Sequence, residues 1–252
     1  MSQRISLEGR TALVTGASRG IGRAIAVGLA EAGAGVVGLA RSKDALDDLG
    51  GEIKDIGGEF MSLPADLSNA DEIPRLVEAA WGRRSRIDVL VNIAGIIKRT
   101  PVLEITPEEW DEIFQINVKA TFFMMQATAA RMIEGEGGSI VNIASLAAQV
   151  VTGASVSYAA SKAAVVQMTK VMAVRCAPKV RVNAVGPGYI RTSLNEQWLD
   201  VAENNNYVLQ HTPLGRVGAP DDVVGAVTYL ASPASSYVTG QHLLVDGGWS
   251  TQ

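Results

Sequence analysis

The chain predicts an α/β fold built on a doubly wound parallel sheet of seven strands with helices on both faces. Two observations carry this. Seven short apolar runs, at 10–15, 36–40, 59–64, 87–93, 139–145, 180–185 and 242–245, are separated by stretches long enough for helices. Strands spaced in this way form parallel sheets with right-handed crossovers. The first run also leads directly into Thr15-Gly16-Ala17-Ser18-Arg19-Gly20-Ile21-Gly22 and then into a helical pattern. A strand, a glycine loop and a helix start make the phosphate cradle of a Rossmann-type dinucleotide fold. The glycines admit the pyrophosphate, and the helix N–H groups meet its charge.

Composition narrows the function. A length of 252 residues suits a single domain spanning 1–252. The net charge of −4 and the absence of a long basic run exclude a nucleic-acid partner as an expectation. Cys176 is the only cysteine, and His211 and His242 are the only histidines, so no internal disulfide and no metal site are expected. The opening MSQRISLEGR has no apolar leader core, and no run reaches the ~20 residues of a membrane span. A cytoplasmic protein with a small-molecule substrate is the expectation.

In chain order, 10–15 is the first strand and 21–32 the helix after the loop. The second strand, 36–40, ends at Arg41-Ser42, where an NAD site usually carries an acid for the ribose 2′-hydroxyl. Arg41 and Arg19 instead offer two guanidinium groups to a 2′-phosphate, which favours NADP over NAD. A helix at 43–56 ends at Gly57-Gly58, and the third strand leads to Asp66-Leu67. The fourth strand ends in Asn92-Ile93-Ala94-Gly95, and the cations Lys98 and Arg99 follow. Thr106-Pro107-Glu108-Glu109 has the form of a capping box and opens a helix expected to run unbroken to about Ile133. Its apolar faces exceed what one sheet face needs, which points to pairing with another subunit. The fifth strand carries Ser145 at its tip. A helix over 156–177 puts Tyr158 and Lys162 one turn apart on one face. On its own this pair also fits a plain surface helix. The sixth strand is expected to break at Gly186-Pro187-Gly188. The polar stretch 193–211, with Trp198, lacks a clean period and reads as a lid over the site. A helix at 221–231 and the strand 242–245 close the fold.

Taken together, Thr15 to Gly22, Asn92 to Gly95, Asn117, Ser145, Tyr158-Ala159-Ala160-Ser161-Lys162 and Pro187-Gly188 resemble the short-chain dehydrogenase/reductase family in order and spacing. Ile93 stands where that family usually has a second Asn. The resemblance implies hydride transfer between nicotinamide and a secondary alcohol or ketone. In it Tyr158 is the general acid/base and Ser145 orients the carbonyl. Lys162 lowers the Tyr158 pKa and binds the nicotinamide ribose, and Asn117 anchors a proton relay. It further implies cofactor contacts from Gly16, Ser18, Arg19, Gly20, Ile21, Gly22, Arg41, Asp66, Leu67, Asn92, Ala94, Gly95, Pro187, Gly188, Ile190 and Thr192, and a homotetramer. Within the family the chain looks most like gluconate 5-dehydrogenases and 2-dehydro-3-deoxy-D-gluconate 5-dehydrogenases. The residues behind this are Ser6 to Gly9, Ala94 to Arg99 and Asp246 to Trp249. Lys98, Arg99, Ser145, Tyr189 and Trp198 are the substrate-side candidates, with one of the two cations expected on a substrate carboxylate. Two rivals share these motifs: a 3-oxoacyl-carrier-protein reductase, and a cofactor-binding regulatory protein without turnover.

Overall fold

The computed structural model describes residues 5–84 and 86–251. Residues 1–4, part of the opening stretch read above for a leader core, lie outside them. The strands are β1 (Thr11–Thr15), β2 (Gly35–Ala40), β3 (Phe60–Pro64), β4 (Val89–Asn92), β5 (Gly138–Ile143), β6 (Val180–Pro187) and β7 (His242–Val245). They form one parallel sheet in the order β3-β2-β1-β4-β5-β6-β7. The helices are α1 (Gly20–Glu31), α2 (Lys43–Asp55), α3 (Ile73–Arg84), α4 (Pro107–Phe114), α5 (Thr121–Glu134), α6 (Val156–Cys176), α7 (Glu196–Leu199), α8 (Ala202–Gln210) and α9 (Asp221–Ala231).

The alternation along each strand builds two cores, because successive strand side chains leave opposite faces. Ala12, Val14, Val36, Val89, Val91, Val141 and Val185 pack under α1, α2 and α9 through Ile25, Leu29, Leu49 and Val227. Leu13, Val37, Leu39, Leu90, Ile140 and Val182 pack under α3, α5 and α6 through Val77, Met124 and Ala173. Strands buried on both sides are apolar throughout, which explains the unbroken runs of the sequence.

β1 pairs with β2 on one side and β4 on the other, so the chain reverses direction of winding there. A crevice opens at the C-terminal ends of strands at such a point. Thr15, buried at the end of β1, ties the two walls of the crevice together. Its hydroxyl accepts from the backbone N–H of Ile93 (3.0 Å) and of Ala94 (3.2 Å).

Three elements differ from the sequence reading. The helix expected without a break from 107 is interrupted by a π-helical turn, Gln115–Ala120, between α4 and α5. β6 runs on through Gly186 to Pro187, where Val245 of β7 is its partner. The segment 193–211 is two short helices, α7 and α8, seated through Leu199 and Val208 against Leu146 and Trp249.

Candidate active site

The glycine loop is shaped by close backbone approach. Gly16 has φ +67°, and a Cβ there would meet the Ala94 nitrogen at 3.0 Å. A Cβ on Gly22 would lie 2.1 Å from the Gly16 carbonyl oxygen. The loop therefore folds tightly over the start of α1 and leaves its floor open. A cavity of about 560 Å³ runs from this loop to the tip of β5.

At one end the cavity is lined by Arg19, Arg41, Ser42, Asp66 and Leu67. Ser42 caps α2 by accepting from Ala45 N–H, which fixes Arg41 at the end of β2. Asp66 accepts from Ser68 N–H at 2.9 Å, and Asn69 caps the next turn. Two cations at the rim, a glycine cradle and a helix N-terminus fit a phosphorylated dinucleotide. Along the middle lie Gly16, Ser18, Gly20, Ile21, Gly22, Ala94 and Gly95. Pro187, Gly188, Tyr189, Ile190 and Thr192 line the wall opposite. Asn195 holds that wall: its side chain accepts from Thr192 N–H (2.9 Å) and donates to the Ile190 carbonyl (2.8 Å). The sequence reading missed Asn195, although its position three residues after Thr192 is the spacing of a local side-chain turn.

At the far end Ser145, Tyr158, Lys162 and Arg99 line the same cavity. Ser145 starts a 3₁₀ turn and accepts from Ala147 N–H (3.1 Å). Ser155 caps α6 by accepting from Tyr158 N–H, so the first turn of the helix presents Tyr158 to the cavity. Lys162 is buried, donates to the Ile143 carbonyl at 2.8 Å, and lies 5.7 Å from the centre of the Tyr158 ring. Its pKa is pulled down to about 8 by burial.

The Tyr158 ring is partly open to the cavity, but the atoms packed around its hydroxyl desolvate it. Burial thus raises the phenol pKa, while the hydrogen bond from Ser145 and the Arg99 guanidinium act to lower it. The sequence reading had Lys162 lower this pKa. The ammonium donates to the neutral Ile143 carbonyl and keeps its charge, and Ser145 and Arg99 also act to lower the phenol pKa.

Asn92 and Asn117 stand behind the wall. Asn92 donates to the Asn142 side chain at 2.9 Å. Asn117, in the π turn, accepts from Ile96 N–H (2.8 Å) and donates to the Ile96 carbonyl (3.0 Å) and the Ser161 hydroxyl (3.0 Å). It therefore fixes the loop that leads from Gly95 to Arg99. π turns inside helices frequently mark functional sites.

The adjacent cations part company, as neighbours in an extended loop must. Lys98 turns out to pair with Glu112 and does not line the cavity. Arg99 turns in. Its guanidinium lies 4.4 Å from the centre of the Trp198 ring and donates to the Gly153 carbonyl at 3.3 Å. Gly153 N–H in turn donates to the Tyr189 hydroxyl (3.3 Å), and Tyr189 stacks on Trp198 at 5.7 Å. Trp198 thus meets the cavity through Arg99 and Tyr189, without lining it directly.

Comparison with known proteins agrees with this geometry. A family model described as enoyl-(acyl carrier protein) reductase matches residues 16–250. The chain is 40% identical over 248 residues to the 2-dehydro-3-deoxy-D-gluconate 5-dehydrogenase of Escherichia coli K12, covering 97% of this chain and 96% of that one. The chain belongs to the short-chain dehydrogenase/reductase family. As a member it is an NAD(P)-dependent oxidoreductase acting on CH–OH groups. It is also 41% identical over 246 residues to a 3-oxoacyl-[acyl-carrier-protein] reductase of Synechocystis, covering 96% and 98% of the two chains. The solved gluconate 5-dehydrogenase of Burkholderia cenocepacia, in complex with NADP and tartrate, superposes with a TM-score of 0.95 at 36% identity. That match covers 99% and 98% of the two chains. Among the described residues, no helix of this short-chain dehydrogenase/reductase is long and apolar enough to cross a membrane, and no side-chain cluster suits a metal.

Proposed function

We propose that this enzyme is an NADP-dependent dehydrogenase that interconverts a sugar acid and its keto acid. The observation that carries the substrate reading is Arg99. Among the described residues it is the only arginine lining the Tyr158 end of the cavity, and no carboxylate there pairs with it. A planar guanidinium held in place by an indole and a carbonyl is preorganised for a two-point grip on a substrate carboxylate. The names of the sugar-acid relatives, and the tartrate and NADP of the Burkholderia enzyme, support the same reading.

In this reading Arg19 and Arg41 hold a 2′-phosphate and the loop from Gly16 to Gly22 cradles the pyrophosphate. Asp66, Leu67, Asn92, Ala94 and Gly95 shape the adenosine side, and Pro187, Gly188, Ile190 and Thr192 the nicotinamide side. Bound NADP supplies the hydride acceptor, and NADPH the donor, at nicotinamide C4. Ser145 orients the substrate oxygen. Tyr158 takes the hydroxyl proton in oxidation and returns it in reduction. Lys162 holds the ribose and, with Asn117, joins Tyr158 to solvent. Residues 193–211 act as a lid closing on Arg99 through Trp198, and the 252 residues work as one cytoplasmic domain.

Oxidation of NADPH and NADH should be followed with keto-sugar acids, acetoacetyl thioesters and simple ketones. Fastest turnover of a keto-sugar acid with NADPH is expected. Preferred turnover of acetoacetyl thioesters would instead favour the acyl-carrier reductase reading, which the Synechocystis relative supports and the net charge of −4 disfavours for an acidic carrier.

The assembly in this reading is a homotetramer. Val171 and Val174 of the long helix α6 and Trp110 of α4 are exposed apolar side chains, suited to two-fold packing. Light scattering at micromolar concentration should give four times the 26.5 kDa chain mass, and a monomer would contradict it.

A further inference from the structure

Tyr158 must change protonation state in every turnover, and the charges around it set which state it rests in. From its own helix comes Lys162, turned to the Ile143 carbonyl. From the tip of β5 comes the neutral Ser145, and from beyond β6 the neutral Tyr189. From the loop after β4 comes Arg99. Among the described residues, the one carboxylate lining the cavity, Asp66, sits at its opposite, glycine-loop end. Lys162 keeps its charge against the neutral Ile143 carbonyl but is buried, so Arg99 is the positive charge on the substrate side of the phenol that an entering anion meets. It is fixed there, since the Trp198 ring and the Gly153 carbonyl hold the guanidinium and neither offsets its charge.

We propose that Arg99 couples the charge of the bound substrate to the proton on Tyr158. With Arg99 unpaired, its charge opposes the burial that holds the phenol neutral, so Tyr158 ionises at a lower pH than it would without that charge. A substrate carboxylate seated on Arg99 cancels that bias and moves the ionisation of the phenol to higher pH. The inference rests on the carboxylate reading of Arg99 given above. Opposite charge favours the ionised form of a neighbour, and its neutralisation removes the effect. The mutual influence of Arg99 and Tyr158 on each other's ionisation is in keeping with this. At a pH where the free enzyme holds the phenolate, the step is a proton uptake alone: one proton enters from solvent, an O–H bond forms on Tyr158, and no bond to carbon changes. A keto acid would thus keep its own general acid protonated to higher pH. A hydroxy acid would have to give up that proton before oxidation, so its oxidation should need a higher pH than that of a neutral alcohol of similar size.

The test reads the ionisation of Tyr158 directly, as the tyrosinate absorbance present in the protein and missing in Tyr158→Phe, without cofactor. Arg99→Gln and Arg99→Met should titrate Tyr158 at higher pH than the natural protein, and Arg99→Lys, which keeps the charge, should lie close to it. Saturating tartrate should move the natural protein upward, while erythritol, its uncharged analogue, should not. Calorimetry in parallel reports tartrate binding itself. The same Tyr158 titration in Arg99→Gln, Arg99→Met and the natural protein would overturn the proposal. Tartrate that binds the natural protein tightly and leaves the titration unmoved would overturn it too, with the carboxylate reading left standing. Tartrate bound equally by the natural protein and Arg99→Gln would overturn the carboxylate reading, and with it substrate control of the proton.

Discussion

At Tyr158, burial, a serine hydroxyl and a guanidinium compete over one proton. Burial holds the phenol neutral, and Ser145 and Arg99 draw it toward the ionised form. General acid–base catalysis by such a group contributes typically 10²–10⁴-fold. Tyr158→Phe should therefore lower kcat by a factor of about 100 or more. The phenyl ring keeps the packing at the cavity wall, so cofactor affinity, read by fluorescence titration, should stay close to that of the natural enzyme. Retained turnover would remove Tyr158 from the chemistry. The pairing of Tyr158 with Lys162 was legible from a spacing of four residues on an expected helix. The direction of the lysine was not, because the acceptor is a backbone carbonyl, Ile143, that no side-chain pattern records. The inward turn of Arg99 was half legible. Alternation says that one of two neighbours faces the site. The partners that decide which, Glu112 for Lys98 and Trp198 for Arg99, come from distant parts of the chain.

Among the elements, the π turn was invisible in the sequence. The stretch from Pro107 holds no proline or glycine to break a helix before Gly135. What it secures is the placement of Asn117 against both backbone groups of Ile96. The stretch 193–211 was read as irregular because two helices as short as α7 and α8 give no period to see. The start of α9 shows an element held by one carboxylate. Asp222 accepts from both terminal nitrogens of Arg216 (2.6 and 2.7 Å) and from Ala219 N–H (2.7 Å). The Arg216 hydrogen bonds first, then Ala219 N–H, pull its pKa down to about 2. A carboxylate with a depressed folded pKa adds stability that is present above its unfolded pKa, near ~3.9, and lost as pH falls through the folded value. Asp222→Asn should accordingly melt below the natural protein at neutral pH, and the gap should close as pH falls from about 4 to about 2. A gap unchanged across that window would show that the ion pair is not its source.

Over the whole molecule, the seven strands and their winding were legible because every central strand is buried on both faces and reads as an apolar run. The glycine-loop end of the cavity was legible too, since glycine spacing and strand order are local and sequential. Arg41→Asp should shift preference toward NADH by removing an attraction to the 2′-phosphate and adding a repulsion. The ratio of kcat/KM for the two coenzymes measures it, and a natural enzyme already preferring NADH would contradict the assignment. The substrate end was less legible, because it is assembled from four separated segments, around residues 99, 153, 189 and 198. The central claim, that this end receives a carboxylate, is tested most directly by kcat/KM for a keto-sugar acid and for its amide, in the natural enzyme and in Arg99→Ala. A lost charge-assisted contact of roughly 1.5–3 kcal/mol predicts about a 10- to 100-fold loss on the acid and little on the amide. An equal loss on both substrates, or none on either, would contradict it.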